Sequence, residues 1–164
     1  MMSFILDLSG IELKLDIRGY DKNYDKTSDN SWCECDFSFR ARPWLDYEIK
    51  NDELLLSSEV DELSESLTKL LKGEFCEHCE CYEFWCLESD FAFKLYPQKD
   101  LREDPKYAYV APGYEFQDIY LEWCVYLWHD YCTENFMTFT LQREDIEKLR
   151  DYLISVKKNS LRLR

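Results

Sequence analysis

Glycine and proline are both scarce, four of each in 164 residues. That argues against long flexible linkers and leaves no glycine-rich loop to cradle a phosphate. Histidine is scarcer still, with only His78 and His129, and no GxGxxG, P-loop, HExxH or GxSxG pattern occurs. No apolar run approaches the roughly 18 to 20 residues that span a bilayer. The opening MMSFILDLSG has no basic leader and breaks its apolar run at Asp7, so no secretory signal is expected and the chain is placed in the cytoplasm. There its eight cysteines are reduced, and their even count does not imply disulfides.

What is abundant is acid and aromatic surface. The net charge is −14, from 34 acidic and 20 basic side chains, and aromatics make up 16% of residues. A field of that sign repels nucleic acid and anionic membranes, and it draws a basic partner or simply keeps the protein soluble. With 46% hydrophobic residues the chain is globular, and its length suits one domain, residues 1–157, followed by a basic tail, 158–164, that frays.

Apolar residues alternate along Phe4, Leu6 and Leu8, then Ile11, Leu13, Leu15 and Ile17, with Ser9-Gly10 as a hairpin turn. Cys33, Cys35, Phe37 and Phe39 alternate in the same way. A strand or hairpin is expected between Leu45 and Leu56, turning at Asn51-Asp52. The period then changes to a helical one, with Val60, Leu63, Leu67 and Leu70 on one stripe. This predicts a helix over 58–72, capped by Ser58 and closed by Gly73. Further strands cover the stretch through Leu95, residues 119–132 and residues 135–142, with a turn ending near Asn135. A second amphipathic helix is expected over 143–157. Runs of adjacent strands with two helices predict an α+β fold, a curved antiparallel sheet with both helices on one face.

The segment FCEHCECYEFWC, residues 75–86, poses a choice. Read as a strand that continues into the next one, it puts Cys79, Cys81, Glu83 and Trp85 on the core face and Tyr82, Phe84 and Cys86 on the other. Cys76, His78 and Cys79 have the spacing of half a zinc knuckle, but no matching CxxC completes four ligands. Zinc is the alternative reading; no cofactor is the main one. Glutamates crowd the CxxC and disfavour a thiolate, which argues against redox chemistry. His129 beside Asp130 offers no assembled triad, so no catalytic residue is nominated and the protein is read as a non-enzyme.

Outward parities combine aromatics with carboxylates: Glu34 and Asp36 on one strand, Glu80, Tyr82 and Phe84 on a second, Glu122, Tyr126 and Trp128 on a third; Glu83 joins the candidate set as one of six acids in residues 74–90, which hold no Lys or Arg. Aromatics that anchor and acids that steer suit docking to a basic protein. The competing reading buries the same aromatics under the long loop 98–118.

The opening also resembles bacterial immunity proteins of the WapI type, in which an apolar strand runs into Gly-Tyr, an acidic loop, and Asn-x-Trp before the next strand. The matching residues are Gly19, Tyr20, Asp29, Asn30 and Trp32. The helix ending in LLKGE and the closing TFTLQREDIEKLRDYL fit the same layout, whereas the cysteine-rich middle and the long loop depart from it. The resemblance implies a cytoplasmic protein without catalytic residues that blocks a cognate toxin domain, a basic one if the toxin acts on nucleic acid.

Overall fold

A computed structural model describes residues 2–76 and 79–160. Strands β1 (Phe4–Leu8), β2 (Ile11–Arg18), β3 (Trp32–Ala41) and β4 (Leu45–Leu56) form one antiparallel sheet in that order. Helix α1 (Ser57–Lys72) follows directly. Strands β5 (Tyr82–Trp85), β6 (Phe91–Tyr96), β9 (Tyr120–His129) and β10 (Tyr131–Gln142) form a second sheet, ordered β10-β9-β6-β5. Between β6 and β9 a short ladder joins β7 (Lys99–Asp100) to β8 (Phe116–Gln117), and helix α2 (Arg143–Asn159) closes the chain. The α+β, antiparallel class holds, with the strands divided between two four-stranded sheets rather than one curved sheet.

The inner faces meet through aromatics. Phe37 lies 4.9 Å from Phe91 and 5.4 Å from Trp123, and Phe39 lies 5.1 Å from Phe139, centroid to centroid. Both helices touch both sheets, α1 through β4 and β6, α2 through β1, β9 and β10. Their stripes, Val60, Leu63, Leu67 and Leu70 on α1 and Ile146, Leu149 and Leu153 on α2, join the same buried cluster. Burying each such side chain stabilises the fold by roughly 1.5–3 kcal/mol. Where β2 outruns β1, the Ile17 N–H donates to the Tyr152 hydroxyl of α2 at 2.8 Å, so a side chain takes the place of a strand neighbour.

Several local expectations change. Helix α1 is not capped by Ser58: it starts at Ser57, and the Glu59 carboxylate turns back to accept the Leu56 N–H at 2.8 Å. The same carboxylate accepts the Leu87 N–H, tying the helix start to the second sheet. Gly73 closes the helix at φ 70°, as the sequence indicates. Residues 45–56 form one strand, not a hairpin: the register to β3 slips twice, and Asn51, at φ 50°, is a bulge rather than a turn. Similarly, β9 and β10 turn at Asp130, φ 62°, and the Asn135 region is a bulge. Thr133 Oγ1 holds it by donating to the Leu127 carbonyl at 2.6 Å. Because the bulge absorbs two residues of β10, Cys132 and Phe136 stay opposite Trp128 and Tyr126.

The quoted cysteine stretch is the largest correction. Only Tyr82–Trp85 is strand, and it does not run on into β6 but folds back on it. Tyr82 faces Leu95 and Phe84 faces Phe93 across the pair, so even positions of β5 share a face with odd positions of β6. Phe84 and Cys86 are therefore buried, while Trp85 and Leu87 stand exposed.

Candidate partner-binding surface

Each sheet has one outward face, and the two are unlike. On the first, Arg18 and Arg40 lie opposite Glu34 and Asp46 and draw in neighbouring carboxylates as well. Arg18 of β2 reaches Asp36 of β3 at 3.0 Å, Glu34 at 3.2 Å and the Asn51 side-chain oxygen at 2.9 Å. Arg40 pairs with Asp46 and Glu48, each at 2.8 Å, and Glu48 also holds Lys50. The Arg18 guanidinium, helped by the Asn51 N–H, holds the Asp36 carboxyl down to about 2. A hollow of about 260 Å³ lies among these side chains, lined by Lys14, Asp16, Ser38, Arg40, Glu48 and Lys50. That is small and charged for a small-molecule site.

The outward face of the second sheet reads across strands in rows. Glu83, Lys94, Glu122 and Thr140 make one row; Trp85, Ala92, Cys124 and Thr138 make the next. Phe136 then faces Tyr126, their ring centroids 5.2 Å apart, and Trp85 lies 6.4 Å from Tyr126 on the other side. Ala92 and Cys124 are short and buried, giving a low floor beside this aromatic row. Trp85 is 58% exposed and Phe136 53%. At one end of the face Tyr96 stacks on Tyr120 at 4.2 Å and donates its hydroxyl to Glu122 at 2.9 Å. At the other end Trp128 is exposed.

The residues expected at a binding surface are thus divided. Glu83, Glu122, Tyr126 and Trp128 share the outer face of the second sheet. Glu34 and Asp36 lie on the first sheet, already paired with Arg18. Tyr82 turns inward toward Phe75, 5.6 Å away, and Glu80 lies in the loop before β5. Trp85 and Phe136 were missed. For Phe136 the signal was present, since Phe136, Thr138 and Thr140 alternate against buried Phe139 and Leu141. For Trp85 it depended on where the hairpin turned. The loop 98–118 leaves the Trp85–Tyr126–Phe136 row uncovered, and its own Tyr107, Tyr109, Tyr114 and Phe116 are exposed as well.

The cysteines do not converge. Among the described residues no group of three or more His, Cys, Asp or Glu is placed to hold a metal ion, and His78 of the alternative zinc reading lies outside them. Cys76 is exposed, and Cys79, half-buried, donates its thiol to the Cys81 carbonyl at 3.2 Å. Burial pushes the Cys33 thiol up to about 11, and raises Cys35 and Cys86 too, the opposite of an activated nucleophile. His129 and Asp130 sit 4.0 Å apart, their side chains about nine-tenths exposed.

The model of the immunity protein WapI-like family matches residues 4–156. The chain belongs to that family. No curated protein matches it. Immunity proteins act on a protein toxin and as a class do so without catalysis. Two of the residues that carry the family resemblance, Gly19 and Tyr20, are structural here. Gly19 takes φ 75°, and Tyr20, buried behind it, donates its hydroxyl to Asp61 of α1 at 2.8 Å. Asp61 also accepts from Tyr24 and from Lys157 of α2, both at 2.8 Å. Burial works against its charge, but these donors prevail and hold Asp61 below the usual carboxylate range. Tyr20 of the family motif, with Tyr24, therefore pins the acidic loop to α1, and Lys157 ties α2 to the same carboxylate. No helix among the described residues is long and apolar enough to cross a membrane.

Proposed function

We propose that this protein neutralises a basic toxin domain in the cytoplasm by capping it with the outer face of the second sheet, without catalysis and without a cofactor. One observation carries the reading: the Trp85–Tyr126–Phe136 row stands uncovered, bordered by Glu83 and Glu122. Large aromatics beside short floor residues offer pockets for anchor side chains. The surrounding carboxylates, within a net charge of −14, steer a cationic partner and favour arginine stacked on an aromatic face. The same field keeps nucleic acid and anionic membranes away.

The test uses the purified toxin domain whose growth arrest the protein relieves in the cell. Association is expected to be fast and to slow as salt rises, with the toxin's activity lost on forming a one-to-one complex. A rate that ignores salt would remove the basic partner from the reading. Weighing the intact protein under native conditions addresses the cofactor: the polypeptide mass alone is expected, and a mass heavier by one zinc would revive Cys76, His78 and Cys79 as ligands.

A further inference from the structure

The long loop after β6 contains a run, Tyr107-Ala-Tyr-Val-Ala-Pro-Gly-Tyr114, with no charged residue in a chain that is 33% charged. All eight of its residues are exposed except Val110, which is half-buried. Tyr109 is 77% and Tyr114 74% exposed, and Phe116 just beyond is exposed too. Water-facing aromatics at this density on one segment are the pattern of a contact surface rather than of a loop filling space.

The segment is also built to hold its shape. At its base the β7–β8 ladder is extended by the Leu101 N–H donating to the Glu115 carbonyl at 2.8 Å. Asp104 accepts the Lys106 N–H at 2.9 Å and pairs with Lys99 at 2.6 Å. Asp100 pairs with Arg102 at 2.6 Å, and the Arg102 guanidinium sits 5.4 Å over the Phe116 ring. Glu115 accepts the Gly113 N–H at 2.9 Å, while Asp118 is clasped by Arg143 of α2. Lys99, Asp100, Arg102, Asp104, Glu115 and Asp118 are thus engaged at its base, and what the loop presents at its tip is tyrosine. The loop leaves the sheet at Tyr96 and returns at Tyr120, the stacked pair at one end of the outer face.

Resting on the toxin-binding reading, we infer that Tyr107–Phe116 is a preorganised aromatic arm beside that face, which grips an uncharged, apolar part of the same toxin domain and sets how slowly the complex comes apart. An ordered arm loses little freedom on binding, and tyrosine supplies contact area through few rotatable bonds. Steering belongs to the carboxylates of the sheet face; retention belongs to the arm.

The experiment compares the wild type with Tyr107→Ala/Tyr109→Ala/Tyr114→Ala against the purified toxin domain that the wild type neutralises. Association and dissociation rates are followed at low and high salt. The triple variant is expected to dissociate roughly 100-fold faster, since three truncations of about fivefold each multiply to that figure and act mainly on dissociation. Its association rate, salt dependence and melting temperature should stay those of the wild type. An unchanged dissociation rate overturns the arm and leaves toxin binding standing. If the wild type binds no toxin domain at all, the toxin reading fails and the arm with it. If the triple substitution instead changes the mass of the protein alone in solution, the arm joins two copies of this chain and the inference is wrong.

Discussion

The two outward sheet faces have the same strand count and the same pleat, yet one is finished and the other is open. On the first, Arg18 and Arg40 each serve two carboxylates, so Glu34, Asp36, Asp46 and Glu48 are all engaged by a base within the face. On the second, the row Trp85–Tyr126–Phe136 has neighbours but no cover, and Lys94 is the one base set between Glu83 and Glu122. A face that pairs its own charges gains little from meeting another protein, because each ion pair must first be desolvated. Exposed aromatics gain from the same meeting. Net charge alone could not separate these surfaces; cross-strand register does.

The strongest way to break this contrast is Trp85→Ala combined with Phe136→Ala. Affinity for the toxin domain should fall roughly 1,000-fold, about 2 kcal/mol per hot-spot side chain, with no change in melting temperature. Glu34→Ala with Glu48→Ala on the first face should leave affinity as it was; calorimetric titration of both double variants decides.

A smaller effect probes the seam between the sheets. Asp90, at the turn into β6, is buried and gives its carbonyl to the Tyr126 N–H at 2.9 Å. Burial, and then the charges of Asp52 on β4 and of Glu88, push its carboxyl up to about 7. A folded-state value above the unfolded one means the folded protein holds this proton longer. Stability from this group is therefore full below about pH 4 and declines as pH rises toward 7, after which no more is lost. Asp90→Asn should remove that decline, adding on the order of 2 kcal/mol at pH 8 and little at pH 4, read from denaturant melts at the two values.

Next in size, Glu83→Lys with Glu122→Lys should slow association about tenfold at low salt and flatten its salt dependence. An equal slowing by Glu34→Lys would mean that overall charge, not the open face, does the steering. Smallest of all, Arg18→Ala should cost about 1 kcal/mol of stability, since the pairs it makes are partly screened, and should leave toxin binding unchanged.

Much of the frame could be read from residue order. The alternations of β1, β2 and β3 and the stripes of both helices were plain because each has one wet and one buried side. Register was harder to read, because bulges and turns are chosen by tertiary pairing. Asn51 and Asp130 both adopt left-handed backbone, and either could have made a turn; only the partner strand decides that Asn51 bulges and Asp130 turns. One such decision, β5 folding back on β6, exchanged Trp85 for Phe84 at the surface and moved the centre of the candidate site. The split into two sheets was equally hidden, since the strands of both alternate in the same way. Glu34 and Asp36 alternate as Glu122 does on β9, and only the strand register sets Arg18 against them.

On β6, β9 and β10, inward residues such as Phe93, Trp123 and Phe139 build the core while their immediate neighbours Lys94, Glu122 and Thr138 meet the solvent. Folding and recognition are therefore written in alternate letters of the same strands. A lineage facing a changed toxin can rewrite every second letter of this sheet and keep the words that make it fold.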